Sequence, residues 1–99
     1  IAINYAEVPL LPGTRALAEA GSMPGGSRRN LEWADQVLDR GGLAELDVLL
    51  LADAQTSGGL VFGASPAAAD EAVAQLTATG HTAAVIGDVV AGDGHIRLG

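Results

Sequence analysis

The chain begins with alternating apolar and polar positions. Strand-forming side chains alternate with smaller or polar ones over residues 1–5, and the alternation ends before Pro9. A period of two residues predicts a strand over about residues 2 to 8. After a turn, apolar residues at helical spacing predict a short helix over residues 15–20 that is stopped by Gly21.

Helix-breaking residues then interrupt the pattern. Residues 21–30 have neither a helical nor a strand period and contain Pro24 and several glycines, so they are predicted to form a loop. Apolar residues recur at three and four positions over residues 31–38, which predicts an amphipathic helix with a glycine stop at 41–42. Residues 43–52 fit helix or strand by pattern, and their Leu, Ala and Glu content favours helix.

The next segment predicts a strand followed by a well-marked helix. An apolar run predicts a strand over about residues 60–64. Ser65 is a typical N-cap, Pro66 suits the first helical position, and Gly80 ends the helix. The helix is expected to bury a stripe of apolar side chains: Ala69, Ala72, Val73 and Leu76.

The end of the chain predicts a hairpin. β-branched residues over 82–90 and a turn at 91–94 lead into a final strand over 95–98. Strands separated by helices, with a closing antiparallel pair, indicate an α+β fold with a mixed or antiparallel sheet and helices packed on one face. We expect residues 1–99 to form one domain.

Charge and cysteine content narrow the function classes. The formal net charge is −7, and the five basic residues are all Arg, so a broad basic surface for nucleic acid or anionic membranes is not expected. No cysteine is present, which excludes disulfides, thiolate metal sites and a cysteine nucleophile within this sequence and is compatible with a cytoplasmic protein. His81 and His95 lack zinc-ligand spacing and are expected to be surface residues.

Two glycine-containing segments carry the candidate chemistry. In residues 53–60, Asp-Ala-Gln-Thr-Ser-Gly-Gly-Leu, paired glycines let backbone N–H groups approach a ligand while Gln, Thr and Ser supply neutral donors. This suits an anion or nucleotide edge, and a polar turn capped by a hydroxyl is the alternative. Asp53 stands without a second carboxylate at ligand spacing, which favours a turn role over a metal role.

The segment 24–30, Pro-Gly-Gly-Ser-Arg-Arg-Asn, contains the only two adjacent arginines of the chain. Gly25 and Gly26 can expose N–H groups while Arg28 or Arg29 supplies a forked donor to phosphate. The alternative is a solvated loop whose arginines pair with acidic residues. Asn30 is equally suited to cap the following helix. Trp33 and Met23 are expected to be packing residues, within this chain or against another domain.

These segments, together with Ala84-Val85-Ile86-Gly87-Asp88-Val89 and the turn Val8-Pro9-Leu10-Leu11-Pro12-Gly13, closely resemble the C-terminal part of selenophosphate synthetase (selenide, water dikinase). The family's usual phrase is Asp-Pro-Gln-Thr-Ser-Gly-Gly, so Ala54 departs where Pro is common. The change loosens a turn and removes no chemical group.

The resemblance implies an ATP- and Mg²⁺-dependent enzyme of the aminoimidazole ribonucleotide synthetase-like superfamily, which converts selenide, ATP and water to selenophosphate, AMP and phosphate. It implies an N-terminal ATP-binding domain that dimerises and a C-terminal α+β domain that closes over it. The family's N-terminal glycine-rich segment with its Cys or selenocysteine and Lys, its metal-binding aspartates and the helix that opens the C-terminal domain are not among these residues. We therefore expect an incomplete C-terminal domain that is not catalytic alone, contains no catalytic or metal-ligating residue, and binds no cofactor tightly by itself.

The residues expected to line a nucleotide or phosphate site are Gly25, Gly26, Ser27, Arg28, Arg29, Asn30, Gln55, Thr56, Ser57, Gly58 and Gly59. The alternative function is a stand-alone α+β module that binds a small anion or regulates another protein without catalysis.

Overall fold

The computed structural model describes all 99 residues, which form four α-helices and four short strands. In chain order the elements are β1 (Ala2–Ile3), α1 (Thr14–Glu19), α2 (Gly25–Ala34), β2 (Leu38–Asp39), α3 (Glu45–Leu51), α4 (Pro66–Ala78), β3 (Gly87–Asp88) and β4 (Ile96–Leu98). Single 3₁₀ turns occur at Tyr5–Glu7 and Asp35–Val37.

The four strands form one mixed sheet in the order β2-β4-β1-β3. β4 runs parallel to both β1 and β2, whereas β1 and β3 are antiparallel. The predicted α+β class with a mixed sheet is confirmed. The predicted closing hairpin is wrong, because β1 lies between β3 and β4 and bonds to both. The amide of Arg97 donates to the carbonyl of Ile1 at 2.8 Å on one edge of β4, and β2 pairs with the other edge, so β3 has no edge of β4 to pair with.

The hydrophobic core lies where α2 and α3 meet the sheet. Leu31 of α2, Val48 and Leu49 of α3 and Leu98 of β4 form its buried centre. Partly buried side chains surround this centre: Ile3, Met23, Leu38, Leu43, Leu51, Ala52 and Ile96. The core therefore fixes α2 and α3 against the strands, and with them the two segments singled out from the sequence.

The first predicted strand is shorter than its pattern indicates. Strand pairing stops at Ile3, and Tyr5–Glu7 forms a 3₁₀ turn. The Asn4 side chain accepts a hydrogen bond from the Ala6 amide at 3.2 Å, which caps this turn and competes with further sheet pairing. The predicted short helix is confirmed as α1, and Gly21 follows it with a φ of +86°.

The predicted loop over residues 21–30 is wrong, because α2 begins at Gly25. Pro24 is its N-cap residue in an extended conformation, and glycine costs little in a first turn that has few intrahelical bonds to make. The helix ends at Ala34 and gives way to a 3₁₀ turn and β2, so the predicted helix over 31–38 is shifted toward the N-terminus. The helix favoured for residues 43–52 is confirmed as α3.

The strand predicted over residues 60–64 does not form. Leu60, Val61 and Phe62 are 93, 80 and 64% exposed and belong to no helix or strand. The strand predicted over 82–90 contracts to Gly87–Asp88. Apolar, β-branched sequence favours a strand only where a neighbouring edge receives it, and no strand lies beside residues 60–64.

The best-marked helix of the sequence, α4, begins at Pro66 as predicted, and Gly80 follows it with a φ of +85°. Ser65 occupies the N-cap position, but its side chain makes no capping hydrogen bond. The predicted buried stripe is wrong, since α4 contains no buried residue and Leu76 is 37% exposed. The residues at the ends of α4 therefore predicted where the helix begins and ends, but the apolar pattern within it did not predict which side chains are buried.

Candidate functional site

The first turn of α2 and the residues after α3 are joined through Ser27. Its side chain is completely buried, its hydroxyl donates to Asp53 Oδ1 at 2.8 Å, and its oxygen accepts the Ala54 amide at 3.2 Å. Both segments singled out from the sequence therefore meet in the folded chain. A buried hydroxyl that uses both its donor and its acceptor holds two segments in one relative position.

Close packing and one further hydrogen bond extend this junction. A Cβ placed on Gly26 would lie 2.8 Å from the Ala54 Cβ, so glycine is required for α2 to approach so closely. The Asn30 side-chain amide donates to the Ala52 carbonyl at 3.0 Å. Asn30 therefore does not cap a following helix, as one alternative proposed. It ties the middle of α2 to the end of α3.

The exposed side of this junction presents hydrogen-bond donors. The N–H groups of Gly25 and Gly26 make no hydrogen bond within the protein, as is usual in a first helical turn. Arg28 and Arg29 are exposed and form no ion pair, which argues against the alternative that they pair with acidic residues of this chain. The Arg29 guanidinium lies over the helix start, 3.8 Å from where a Cβ on Gly25 would be. Positive charge and free N–H groups thus share one end of α2.

Residues 55–59 continue directly from Asp53 and Ala54 and are fully on the surface. None of their backbone N–H groups donates a hydrogen bond within the protein. Gly58 and Gly59 do not adopt a left-handed conformation. A Cβ on Gly58 would lie 2.5 Å from Gln55 Oε1 and 3.3 Å from the Gln55 Cβ, so a substitution there must displace the Gln55 side chain. Residues 55–59 therefore present unbonded backbone N–H groups and polar side chains on the surface.

The structure offers no metal centre at this junction. No group of three or more His, Asp or Glu side chains comes together as a metal ion would require. Asp53 is half-buried and already accepts the Ser27 hydroxyl with one oxygen. One carboxylate with a single free oxygen is a poor site for a divalent cation.

The third segment that carries the resemblance, residues 84–89, contains the edge strand β3. Gly87 pairs with Ile3 in β3, and a Cβ on it would lie 2.0 Å from the Ala2 carbonyl oxygen. Only glycine permits this approach of the two backbones. Gly87–Asp88 thus form one edge strand of the sheet, and no hydrogen bond links residues 84–89 to Ser27.

Sequence reasoning missed two features of the site. Because residues 21–30 were interpreted as a loop, Ser27 was not recognised as a buried residue. A helix starting at Gly25 would have placed Ser27, Leu31 and Ala34 on one face, which was the available signal. The groove of about 360 Å³ between α2 and the end of α3 was also not anticipated. Trp33, which was expected to pack within this chain or against another domain, borders this groove and is 77% exposed.

Two polar clusters lie outside this site. Arg15 of α1 donates to the Tyr5 hydroxyl at 3.2 Å and pairs with Asp47 of α3. Partial burial and the neighbouring Asp47 carboxylate raise the pKa of Tyr5, and Arg15 partly opposes them. Near the C-terminus, a hydrogen bond from the His95 side chain lowers the pKa of Asp93. His81 and His95 are both exposed, as predicted.

No helix in this chain is both long and apolar enough to cross a lipid bilayer.

Comparison with known proteins finds similar individual proteins. No protein-family model matches the chain. Among individual proteins, it is 39% identical over 98 residues to a selenide, water dikinase from Paraburkholderia xenovorans, covering 97% of this chain and 28% of that protein. Proteins of the same name from Myxococcus xanthus and Pelobacter propionicus are 41 and 39% identical, over 91% of this chain and 26% of their own length. The chain thus spans about a quarter of the curated relatives it matches.

Proposed function

The chain belongs to the selenide, water dikinase family over the segment it spans, and on that premise we propose that it forms one wall of the active-site cleft in a larger ATP-dependent enzyme. That enzyme converts selenide, ATP and water to selenophosphate, AMP and phosphate. In this proposal residues 1–99 are a C-terminal portion that binds phosphoryl groups and does not catalyse the reaction alone. Similarity along nearly the whole chain favours this over a stand-alone anion-binding module.

The observation that carries the proposal is the junction built by Ser27, Asp53 and Ala54. It aligns the start of α2 with residues 55–59, so two sets of unbonded N–H groups lie next to the same buried contact. Such groups bind phosphate oxygens well, because a helix start carries a partial positive charge and its first N–H groups lack partners. The proposed ligands are phosphoryl oxygens of ATP.

Arg28 and Arg29 supply the charge that neutral donors lack. Neither is committed to an ion pair, so either guanidinium can form two parallel hydrogen bonds to a phosphoryl group. In a chain with a net charge of −7, such a local basic spot is needed to attract a polyanion. Gln55, Thr56 and Ser57 then orient the phosphoryl oxygens through uncharged donors, which stabilises charge that develops during transfer.

Mg²⁺ does not fit the residues of this chain. Asp53 is the only carboxylate at the junction and has one oxygen occupied by Ser27, so we assign the metal ligands of the complete enzyme to another part of it. The same reasoning assigns the reactive groups and most of the ATP site to an N-terminal domain, which would also form the homodimer. We propose the cytoplasm as the location and no nucleic acid or membrane as a partner.

The test uses the complete polypeptide that contains these residues. Replacing both Arg28 and Arg29 with Ala should raise the KM for ATP about tenfold, because charge-assisted contacts to phosphate are lost. Arg97→Ala is the matched control, since Arg97 is also exposed and unpaired but lies on β4. A KM that is equal in the double variant and the control would refute the phosphate role.

A second measurement addresses catalysis. The purified 99-residue chain should produce no AMP from ATP and selenide, whereas the complete polypeptide should. Turnover by the short chain would contradict the assignment of the reactive groups elsewhere.

A further inference from the structure

The Trp33 indole is uncovered in this chain. It is 77% exposed and borders the groove of about 360 Å³ between α2 and the end of α3, whose apolar lining comes from Ala34, Leu51 and Ala52. Tryptophan is usually well covered in a folded protein, and aromatic side chains are enriched where proteins or domains touch. The groove therefore has the composition of an interaction surface.

The two polar side chains that line the groove each keep one oxygen free. Asn30 donates to the Ala52 carbonyl through its amide nitrogen, and its side-chain oxygen accepts no hydrogen bond within the chain. Asp53 accepts the Ser27 hydroxyl with Oδ1, and Oδ2 accepts none. No basic side chain lines the groove. A segment that covers it must therefore combine an apolar side chain against Trp33 with an N–H donor or a positive charge.

The groove adjoins the proposed phosphate edge. Asp53 belongs both to the lining of the groove and to the junction that Ser27 makes with residues 53 and 54. If ATP is shared between this edge and another domain, that domain lies opposite the edge. Contacts between domains of one chain commonly bury about 600–1,500 Å², so such a contact extends from the phosphate edge onto the surface beside it.

We propose that Trp33 and this groove are the docking surface for the ATP-binding domain of the same polypeptide, which places an apolar side chain against the indole and donates to Asp53 and Asn30. The inference rests on the proposed function and names the surface through which this portion contacts that domain. The chain matches only 26–28% of the length of its relatives, so the larger part of each lies outside the matched segment. A second copy of this chain suits the groove less well, because each copy carries a net charge of −7.

Oxidative footprinting of Trp33 tests the docking without ATP. Trypsin cleaves after Arg29 and Arg40, so oxidation of Trp33 is read by mass spectrometry on the peptide Asn30–Arg40. In the complete polypeptide Trp33 should be oxidised at least about fivefold more slowly than in the dilute 99-residue chain, because a covered tryptophan keeps only a small exposed fraction. Both proteins should react at the same rate in concentrated urea. Equal rates in the folded proteins would overturn the docking.

Photo-crosslinking identifies what covers the groove. In the complete polypeptide, Trp33→p-benzoylphenylalanine should crosslink within one molecule to a peptide from outside residues 1–99. Glu32→p-benzoylphenylalanine is the matched control, because Glu32 is an exposed neighbour on α2 that does not line the groove, and it should give much less of this product. In a mixture of light and heavy isotope-labelled protein, crosslinks between the two forms would overturn the proposed occupant, as would equal yields from positions 32 and 33.

The outcomes separate this inference from the phosphate role. Protection of Trp33 with no effect of the Arg28 and Arg29 variants on the KM for ATP would support the docking and refute the phosphate role. A raised KM in those variants with Trp33 unprotected would support the phosphate role and refute the docking.

Discussion

The hydroxyl of Ser27 donates to the carboxylate of Asp53 at 2.8 Å, although the two residues are 26 positions apart in the chain. The same oxygen accepts the Ala54 amide. One buried side chain thereby sets the position of the first turn of α2 relative to residues 55–59, the two segments that we propose bind phosphoryl groups.

Ser27→Ala should destabilise the fold by about 1–3 kcal/mol, because it removes a buried donor and leaves the Ala54 amide without its acceptor. Urea unfolding followed by circular dichroism measures the change. Ser65→Ala is the matched control, since Ser65 is exposed and its side chain makes no capping bond, so its effect should stay below about 0.5 kcal/mol. Equal stabilities of the two variants would show that Ser27 does not connect the segments.

Gly26→Ala and Gly25→Ala form a matched pair in the first turn of α2. Alanine at 26 would bring its Cβ to 2.8 Å from the Ala54 Cβ, whereas alanine at 25 meets only the Arg29 guanidinium at 3.8 Å. Overpacking costs about 1–3 kcal/mol, which exceeds the gain of about 1 kcal/mol in helix propensity. Gly26→Ala should therefore lower the free energy of unfolding and Gly25→Ala should leave it equal or higher. The reverse order would contradict the close approach.

Gly87→Ala tests the edge of the sheet. The added Cβ would lie 2.0 Å from the Ala2 carbonyl oxygen, so β1 and β3 must separate. We expect a loss of about 2 kcal/mol or more and faster exchange of the Asn4 amide, which bonds to Ile86 beside this pair. Gly92→Ala is the control because its Cβ meets nothing within 4 Å. An unchanged exchange rate for Asn4 in the Gly87 variant would rule out this pairing.

Tyr5 gives a pH dependence that can be followed directly by ultraviolet absorbance of its phenolate, since it is the only tyrosine. Partial burial and Asp47 raise its pKa above the ordinary value of 10.0, so its titration midpoint should lie above that pH. The raised pKa means that the folded state favours the neutral phenol. Its contribution to stability is therefore complete below pH 10 and is lost as the pH rises through the folded-state pKa.

Asp47→Asn should lower the Tyr5 midpoint, because it removes a negative charge and leaves Arg15 in place. Glu45→Gln, at an exposed position on the same helix, should leave the midpoint unchanged. A midpoint that does not respond to Asp47→Asn would show that the cluster does not form in solution.

The exposed apolar segment at residues 60–62 should promote self-association. Leu60, Val61 and Phe62 are exposed and belong to no helix or strand, and Val89 beside Gly63 is 77% exposed. Contiguous apolar surface of this kind is unusual on a monomer. Static light scattering of the 99-residue chain should show an apparent mass that rises with concentration, and an apolar-surface dye should bind.

Replacing Leu60 and Phe62 with Lys should reduce both the mass increase and the dye signal. Leu17→Lys is the control, since Leu17 is 60% exposed on α1, away from this segment. A strictly monomeric chain with no dye binding would refute the prediction.

Sequence patterns predicted local features well where a single residue decides them. Gly21 and Gly80 end their helices in left-handed conformations, and Pro66 begins α4, because these preferences depend on the residue's own backbone sterics. The leucine-rich segment 43–52 became α3 as its propensity indicated. The strand predicted over 60–64 does not form, because a strand needs a neighbouring strand edge to pair with, and no local sequence pattern shows whether one is present.

The sequence by itself determined the similarity to selenide, water dikinases and excluded cysteine chemistry within these residues, because both depend only on residue identity and order. Its hydrophobic patterns also predicted the α+β class with a mixed sheet, which the structure confirms. Tertiary structure alone decided that residues 25–30 are helical, that Ser27 is buried against Asp53, and that β1 separates β3 from β4. Each of these results depends on contacts between residues far apart in the chain. The free energy of such contacts outweighs the local preference of a Pro-Gly-Gly segment for a loop.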